Sequence, residues 1–336
     1  MKKTYKITVI GSGSWGTALS NMFAKNGINT CLYVRKKELC KEMYKKRENK
    51  KYLPDIMLTK ELIITSNVEE AMQFGNIILL AVPVKYLRES LSGLSNLVND
   101  EHIFVSAAKG IENDTFFRPS EVVKDVLNVN DERFAVLSGP NFAKEVAMEL
   151  PTATVVASCN NTLAKKLQDV FSCNYFRVYT SDDVVGVETA AAIKNVIAIA
   201  VGISDGLGFG NNAKASLITR GLTEMSRLGT MLGAKTETFM GLAGIGDLVL
   251  TCTGNLSRNR RLGIELSKNL DVDSILNTMV MVAEGVNTVK SVFIWSNKHN
   301  VDMPISNQVY EILYNRKNPK QAAVELMNRP LKEESL

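Results

Sequence analysis

The first half of the chain alternates short apolar runs, rich in β-branched residues, with segments of helical periodicity. Several runs are apolar at every position, which is typical of strands covered on both faces. Strands and helices in alternation predict a parallel, doubly wound sheet. The clearest helix covers residues 15–27 and stops at Gly27. The predicted strands cover residues 6–10, 29–34, 62–65, 76–82, 102–108, 134–139 and 152–158.

The hydrophobic pattern changes near residue 184. The stretch VVGVETAAAIKNVIAIAVGISDGL is apolar on most faces, which predicts a buried helix. Helical patterns dominate from there to the end of the chain. We therefore expect an α/β domain over residues 1–187 followed by an all-α domain over residues 188–336. A length of 336 residues suits two such domains.

Composition adds few constraints. With 45% hydrophobic and 22% charged residues, the chain is typical of soluble globular proteins. A net charge of +5 permits an anionic small ligand but does not indicate a nucleic acid. The basic run at 35–52 is interleaved with glutamates, so most of it is expected to form a solvated helix face. The apolar runs are too short for a signal peptide or a membrane span, so no membrane partner is expected.

Cysteine and histidine usage narrows the chemistry. The five cysteines are scattered and include no C-x-x-C pair, which argues against a disulfide framework or a zinc site and indicates a reducing cytoplasm. No metal site is expected. His102 and His299 both lie in polar turn contexts, so we expect them to be solvated and expect another residue to act as the acid or base.

The hexapeptide GSGSWG at residues 11–16 directly follows the first predicted strand and opens the first predicted helix. The next strand follows within a unit of about 30 residues, which is the context of a dinucleotide-binding turn. In a Rossmann-type domain Gly11 allows the tight turn, Gly13 lets the backbone approach a pyrophosphate, and Gly16 permits close helix packing. The sequence therefore predicts a cofactor site that includes Gly11, Gly13, Ser14, Trp15 and Gly16.

The end of the second predicted strand indicates which dinucleotide binds. Here an acidic residue commonly holds the adenosine ribose hydroxyls, but the chain has Arg35 in the stretch YVRKK. A guanidinium suits a 2′-phosphate. Arg35 therefore favours NADP(H), or use of both NADP(H) and NAD(H).

Five further stretches occur in a fixed order. They are SAAKGIE (106–112), SGPNFAKEV (138–146), AAIKNVIAIAVGISDGLGFGNNAKASLITRGLTEM (191–225), GLAGIGDLVLTCTGNLSRNRRLG (241–263) and VAEGVNTV (282–289). Together they resemble the NAD(P)-dependent sn-glycerol-3-phosphate dehydrogenases of the bacterial type, over residues 5–328. The resemblance implies reversible hydride transfer between NAD(P)H and dihydroxyacetone phosphate to give sn-glycerol 3-phosphate, the glycerophospholipid precursor. It also implies a cytoplasmic homodimer.

Lys194 is the candidate acid–base residue. Reducing dihydroxyacetone phosphate requires a hydride donor, a proton donor to the developing alkoxide, and cations for the phosphate. Lys194 lies on the predicted buried helix among apolar residues, where desolvation lowers the pKa of an ammonium toward the useful range. The catalytic lysine of the family that the chain resembles maps onto Lys194.

The resemblance implies further site residues. Lys109 ends a predicted strand at the carboxyl edge, where ligands bind in open α/β sheets, and should contact both cofactor and substrate. Asn141 stands where the family usually has a hydroxyl residue, and its amide can still hydrogen-bond the substrate. The other implied substrate contacts are Gly139, Asp247, Ser257, Arg258 and Asn259. The other implied cofactor contacts are Ala143, Arg258 and Glu284.

Two other functions remain open at this point. A β-hydroxyacid dehydrogenase of the 6-phosphogluconate type shares the Rossmann domain, the helical domain and a catalytic lysine, although the stretch 241–263 argues against it. A nicotinamide-sensing regulator would bind cofactor without turnover. Such a regulator would have no need of Lys194, Asp247 and the residues 257–259 (SRN). It would also be expected to contain a DNA-recognition helix, and the sequence predicts no basic helix of that kind beyond the run at 41–51.

Overall fold

The structure is a computed structural model that describes residues 5–268, 272–278, 283–331 and 333–334. Expectations that fall elsewhere, including the first residue of the motif at 282–289, lie outside the described residues. The chain divides into two compact units. Unit 1 comprises Met1–Ala108 and Pro119–Val184, and unit 2 comprises Lys109–Arg118 and Val185–Leu336.

The main boundary between the units lies a few residues before the expected position near residue 187. The division also differs from the expected one in a second respect. Segment 109–118, which the sequence pattern placed in the first domain, belongs to unit 2. The reason is packing. Ile111 is buried in the unit 2 core, Phe116 packs against that core, and Arg118 forms an ion pair of 3.2 Å with the buried Glu188. The assignment of dinucleotide and substrate binding to the two domains stays a prediction.

Unit 1 is an α/β unit. Its helices are α1 (Ser14–Lys25), α2 (Lys37–Lys46), α3 (Val68–Phe74), α4 (Leu87–Ser92), α5 (Pro119–Leu127), α6 (Ala143–Ala147) and α7 (Asn161–Phe171). Its strands are β1 (Lys6–Ile10), β2 (Asn29–Tyr33), β3 (Glu48–Asn49), β4 (Leu53–Met57), β5 (Ile63–Thr65), β6 (Ile77–Leu80), β7 (Ile103–Ser106), β8 (Phe134–Ser138), β9 (Thr152–Ala157) and β10 (Phe176–Ser181).

The main sheet has the strand order β10-β9-β8-β7-β6-β1-β2-β5, and β3 and β4 form a separate hairpin. Strand β1 pairs in parallel with β2 on one side and β6 on the other, so the chain reverses direction across the sheet at β1. This is the switch point at which doubly wound sheets bind ligands. The predicted doubly wound fold is confirmed.

One pairing departs from a purely parallel sheet, since β8 and β9 are antiparallel. A parallel neighbour requires a crossover connection, usually a helix that packs across the sheet. The link between β8 and β9 contains only the five-residue helix α6, which contacts α1. This short link does not cross the sheet, so β9 lies beside β8 and runs in the opposite direction.

Among its described residues, the regular secondary structure of unit 2 is helical. Its helices are α8 (Val184–Gly206), α9 (Gly210–Met231), α10 (Thr236–Phe239), α11 (Asp247–Thr253), α12 (Arg258–Leu266), α13 (Val272–Thr278), α14 (Glu284–Lys298), α15 (Pro304–Tyr314) and α16 (Pro319–Met327). The predicted all-α second part is confirmed. Helix α8 is buried continuously from Gly186 to Ser204 and forms the centre of the unit 2 core. The expectation that every apolar run is too short to span a membrane is wrong for α8, which is apolar and long enough to do so. However, 83% of its most apolar window is buried inside the protein.

The two histidines have different environments. His299 is exposed, as expected, and stacks on Trp295. The expectation of a solvated His102 is wrong, because its side chain is buried. Its Nδ1 accepts a hydrogen bond from the backbone N–H of Asn99, and its Nε2 lies 3.1 Å from the carbonyl oxygen of Met72. Burial lowers the pKa of His102, and these contacts make it a structural residue.

The glycine-rich turn 11–16 is held from within unit 1. Gly11 has φ +117°, and a Cβ there would lie 2.6 Å from the carbonyl oxygen of Ala81. A Cβ on Gly16 would lie 1.9 Å from the carbonyl oxygen of Gly11. Asn49, which is fully buried, donates hydrogen bonds from its Nδ2 to the carbonyl oxygen of Ser12 at 2.9 Å and to Thr17 Oγ1 at 2.8 Å. These contacts fix the turn without any ligand.

Gly13 differs from its neighbours in the turn. A Cβ added there meets nothing within 4 Å, and its φ of −72° suits any residue. We therefore predict that Gly16→Ala lowers the free energy of unfolding by about 3 kcal/mol through overpacking. Gly13→Ala should change it by less than about 1 kcal/mol, the cost of a poorer N-cap. Thermal unfolding of both variants checks this, and equal losses of stability would contradict it.

Candidate active site

Three charged side chains meet in unit 2. Asp247 Oδ1 accepts a hydrogen bond of 2.5 Å from Lys194 Nζ, and Asp247 Oδ2 accepts one of 2.8 Å from Lys109 Nζ. Lys194 is 5% and Asp247 1% exposed. One carboxylate is therefore shared between two ammonium groups, and the lysine on α8 is almost completely removed from water. The structure brings together three residues that the sequence named separately.

A tight backbone turn places Asp247. Residues Leu242–Gly246 form a π-helical turn that leads directly into α11, of which Asp247 is the first residue. A Cβ on Gly244 would lie 2.1 Å from the carbonyl oxygen of Phe239, so this turn requires glycine. The aromatic ring of Phe239 is itself buried in the unit 2 core. Such π-helical insertions are common at functional sites. Asp247 is thus held by its backbone as well as by its ion pairs.

Burial and charge act together on the pKa values of the cluster. Desolvation lowers the pKa of Lys194 to about 7; the positive charge of Lys109 also lowers it, and Asp247 opposes both effects. For Asp247, burial raises the pKa of the carboxyl, but the charges and hydrogen bonds of Lys109 and Lys194 bring it below the ordinary value. At neutral pH Asp247 is therefore ionised, and Lys194 can gain or lose a proton.

Thr251 completes the environment of the ammonium and was not named from the sequence. Its hydroxyl donates a hydrogen bond of 2.6 Å to the backbone carbonyl of Asp247 and accepts one of 2.9 Å from Lys194 Nζ. The spacing of four residues along α11 places Thr251 and Asp247 on one face. Once Asp247 is identified as a site residue, its spacing of four residues from Thr251 predicts that the two side chains are neighbours on the helix.

Asn259 links three helices. Its Nδ2 donates to Asn195 Oδ1 on α8 at 2.8 Å, and its Oδ1 accepts from the backbone N–H of Gly285 in α14 at 3.1 Å. Asn195 directly follows Lys194 on α8. A Cβ on Gly285 would lie 2.7 Å from the carbonyl oxygen of Asn195, so the approach of α14 to α8 depends on this glycine. Asn259 therefore has a structural task beside its expected contact with substrate.

The other predicted residues of this region lie at helix starts. Ser257 is buried and caps α12, its Oγ accepting a hydrogen bond from the backbone N–H of Arg260. Arg258 is the first residue of α12. Glu284 begins α14 and acts electrostatically on Arg258. Burial lowers the pKa of the Arg258 guanidinium, and the negative charge of Glu284 opposes this effect.

The turn 11–16 in unit 1 fits a dinucleotide. Gly11 and Gly16 are required by the fold, but no protein atom explains why position 13 is glycine. The surrounding space suits a ligand that approaches the backbone closely. Ser14 begins α1, and the buried Trp15 Nε1 has no hydrogen-bond partner among the described residues. The start of a helix is also favourable for a diphosphate.

Arg35 lies two residues beyond the end of β2. It is exposed, and its Nη1 is 4.0 Å from Glu89 Oε1 on α4. With exposed fractions of 67% and 75%, this pair is a weak surface ion pair that a stronger anion can replace. The guanidinium is therefore accessible at the strand end where the adenosine portion of a dinucleotide is expected.

The remaining predicted residues follow β8 in unit 1. Gly139 has φ +155°, and a Cβ there would lie 2.9 Å from Thr154 Cα. Asn141 donates a hydrogen bond of 3.0 Å from its Nδ2 to Thr154 Oγ1. Ala143 is the first residue of α6 and packs with the apolar cluster that also contacts Trp15. Strand β9 therefore positions the loop that carries Gly139 and Asn141.

Comparison with known proteins agrees with the resemblance seen in the sequence. Residues 6–164 match the family model described as NAD-dependent glycerol-3-phosphate dehydrogenase N-terminus, and residues 183–324 match the corresponding C-terminus. A glycerol-3-phosphate dehydrogenase (NAD(P)+) of Citrifermentans bemidjiense is 48% identical, over 98% of this chain and 99% of the relative. One of Maridesulfovibrio salexigens is 49% identical, over 98% of this chain and 100% of the relative.

A solved structure agrees with these sequence matches. The crystal structure of glycerol-3-phosphate dehydrogenase from Coxiella burnetii is 39% identical, with a TM-score of 0.92, and the match covers 97% of this chain and 99% of that one. The family models together match most of the chain, and the relatives match it almost end to end. The chain belongs to the NAD-dependent glycerol-3-phosphate dehydrogenase family.

Proposed function

We propose that the chain catalyses the reversible, NAD(P)H-dependent reduction of dihydroxyacetone phosphate to sn-glycerol 3-phosphate, the precursor of glycerophospholipids. The observation that carries this proposal is the buried ammonium of Lys194, held between Asp247 and Thr251 with a pKa of about 7. The names of the relatives support the choice of substrate. The 6-phosphogluconate-type alternative has no support among these relatives.

Lys194 acts as the proton donor in reduction. Its ammonium has three N–H groups, of which two point to Asp247 Oδ1 and Thr251 Oγ1. The third can reach the carbonyl oxygen of the substrate and transfer its proton as negative charge develops there. In oxidation the neutral amine takes the hydroxyl proton back. Asp247 stays ionised throughout and stabilises the charged form of Lys194, while Lys109 balances the charge of that carboxylate.

The remaining residues bind and orient the reactants. When bound, NAD(P)H supplies the hydride. We assign substrate binding to Lys109, Gly139, Asn141, Lys194, Asp247, Ser257, Arg258 and Asn259. We assign cofactor binding to Gly11, Gly13, Ser14, Trp15, Gly16, Arg35, Lys109, Ala143, Arg258 and Glu284. The planar guanidinium of Arg258 suits the substrate phosphate, and Asn259 can donate a hydrogen bond from the second N–H of its amide.

The expected setting of the enzyme belongs to the same proposal. We place it in the cytoplasm, a choice supported by five cysteines that are all free. A homodimer follows from the resemblance to the family. The substrate and the dinucleotide are its expected partners, with no nucleic acid or membrane.

Replacing Lys194 tests the proposed mechanism. Lys194→Met keeps the apolar stem and removes the ammonium, and Asp247 keeps Lys109 as a partner. We expect kcat for dihydroxyacetone phosphate reduction to fall about 10²- to 10⁴-fold, since a general acid is lost. Binding of NADPH, followed by fluorescence, should change little.

Lys290→Met, at an exposed position of α14, is the control and should match the wild type. A Lys194→Met enzyme with kcat close to that of the wild type would refute the assignment of the acid. A wild type that turns over hydroxyacids but not dihydroxyacetone phosphate would refute the proposed substrate.

Replacing Arg35 tests the adenosine end of the cofactor site. Arg35→Asp removes a partner for the 2′-phosphate and supplies a carboxylate for the ribose hydroxyls of NADH. The NADPH/NADH ratio of kcat/KM values should fall about 10- to 150-fold, the equivalent of one charge-assisted contact. Lys41→Asp makes the same charge change at an exposed position of α2 and should leave the ratio unchanged. An unchanged ratio in Arg35→Asp would show that Arg35 does not meet the cofactor.

A further inference from the structure

A second charged cluster lies in unit 2, outside the Lys109–Asp247–Lys194 group. Asp205, in the last turn of α8, accepts two contacts from Arg260 on α12, at 2.7 Å from Nε and 2.6 Å from Nη2. Its other oxygen lies 2.9 Å from Lys214 Nζ on α9. Arg260 also donates to Asn255 Oδ1 at 3.2 Å. One carboxylate thus joins three helices.

This cluster differs from the surface ion pairs of the protein. The side chains of Asp205 and Arg260 are only 13% and 15% exposed. In contrast, Glu265, near the end of α12, and Lys268, just beyond that helix, form a pair exposed to 43% and 54%. Exposed pairs contribute little to stability. Breaking a shielded pair by removing one partner leaves an uncompensated charge and is much more costly. Arg260 is therefore firmly held.

Helices α8 and α12 approach each other unusually closely around the cluster. A Cβ on Gly202 would lie 2.0 Å from the carbonyl oxygen of Arg260, and one on Gly263 would lie 2.1 Å from the carbonyl oxygen of Ile199. A Cβ on Gly206 would lie 2.0 Å from Ser267 Oγ. With backbones in contact, a shift of α12 cannot be absorbed by side chains. The ion pair then determines where along α8 the start of α12 lies.

The first turn of α12 is the part of the helix that Asp205 holds. Arg258, the residue assigned to the substrate phosphate, lies in the same turn as Arg260. Lys194 lies about three helical turns before Asp205 and on the same face of α8. Helix α8 therefore carries both the proposed acid, Lys194, and Asp205, whose carboxylate holds the first turn of α12. A short link joins the carbonyl and the phosphate of the substrate and limits the distance between them, so the acid and the phosphate-binding residue must be held in a defined relation to each other.

We propose that Asp205 is a positioning residue, which through Arg260 holds Arg258 where the substrate phosphate binds while Lys194 reaches the carbonyl. The inference rests on the proposed function. Asp205 contacts neither substrate nor cofactor in this account. Asp205 contributes to the geometry of phosphate binding. Loss of its charge should therefore weaken the binding of phosphate-bearing molecules and leave the rate of proton transfer from Lys194 unchanged.

Asp205→Asn is the primary test, because it preserves shape and removes the charge. KM for dihydroxyacetone phosphate and the inhibition constant of inorganic phosphate, measured as a competitor, should rise together by about tenfold, the equivalent of part of a charged hydrogen bond. The kcat value should stay within about threefold, and the apparent pKa of the pH profile should not move. Arg260→Lys, which keeps the charge but loses the planar fork, should give a smaller rise in the same two constants.

Glu265→Gln is the matched control, an equivalent loss of charge from an exposed pair on the same helix, and should change none of these values. Should Asp205→Asn fail to fold, Arg260→Lys carries the test. Unchanged KM and phosphate inhibition constants in a folded variant would overturn the positioning role, as would a fall in kcat without a rise in either constant. A wild type that does not reduce dihydroxyacetone phosphate would instead overturn the proposed function.

Discussion

The buried carboxylate of Asp247, shared by two lysines, is the interaction on which the proposed chemistry of unit 2 depends. An ammonium as buried as that of Lys194 is costly unless it is paired. A fully compensating partner would hold the proton too tightly for acid catalysis. Burial lowers the pKa of Lys194 to about 7, the charge of Lys109 lowers it further, and Asp247, whose carboxylate also pairs with Lys109, only partly opposes these effects. The pairing thus makes burial tolerable and keeps the proton transferable.

Helix α8 connects this chemistry to the rest of unit 2. It carries Lys194, it holds Asn259 of α12 through Asn195, and its last turn holds Arg260 through Asp205. Helix α8 contains glycines among its apolar residues because neighbouring backbones approach it too closely for larger side chains to fit. Because the backbones of α8 and α12 are in contact, no deformable layer of side chains separates the helix that carries the proposed acid from the helix that carries the arginine assigned to the phosphate. Precision in this site therefore comes from a rigid shared support.

The features visible in the sequence were those with local causes. The turn 11–16 was recognisable because its glycines meet the backbone requirements of one strand–turn–helix unit. Lys194 was recognisable as a lysine among the apolar residues of the predicted buried helix. The features that were missed depend on distant contacts. Asn49, in strand β3, fixes the turn by hydrogen bonds to residues more than 30 positions earlier in the chain. His102 contacts the carbonyl oxygen of Met72, which is 30 residues away. Strand β9 is antiparallel to β8 because the link between them is too short to cross the sheet. No periodicity encodes such contacts.

The pH dependence of kcat tests most directly whether Lys194 is the poised acid. A folded-state pKa of about 7, below the ordinary value of a lysine, means that the donor is charged below neutral pH and loses its proton as the pH rises. With saturating NADPH and dihydroxyacetone phosphate, kcat for reduction should fall above about pH 7, and kcat for oxidation of glycerol 3-phosphate should rise through the same region. A reduction rate that is constant from about pH 6 to about pH 9 would contradict this assignment.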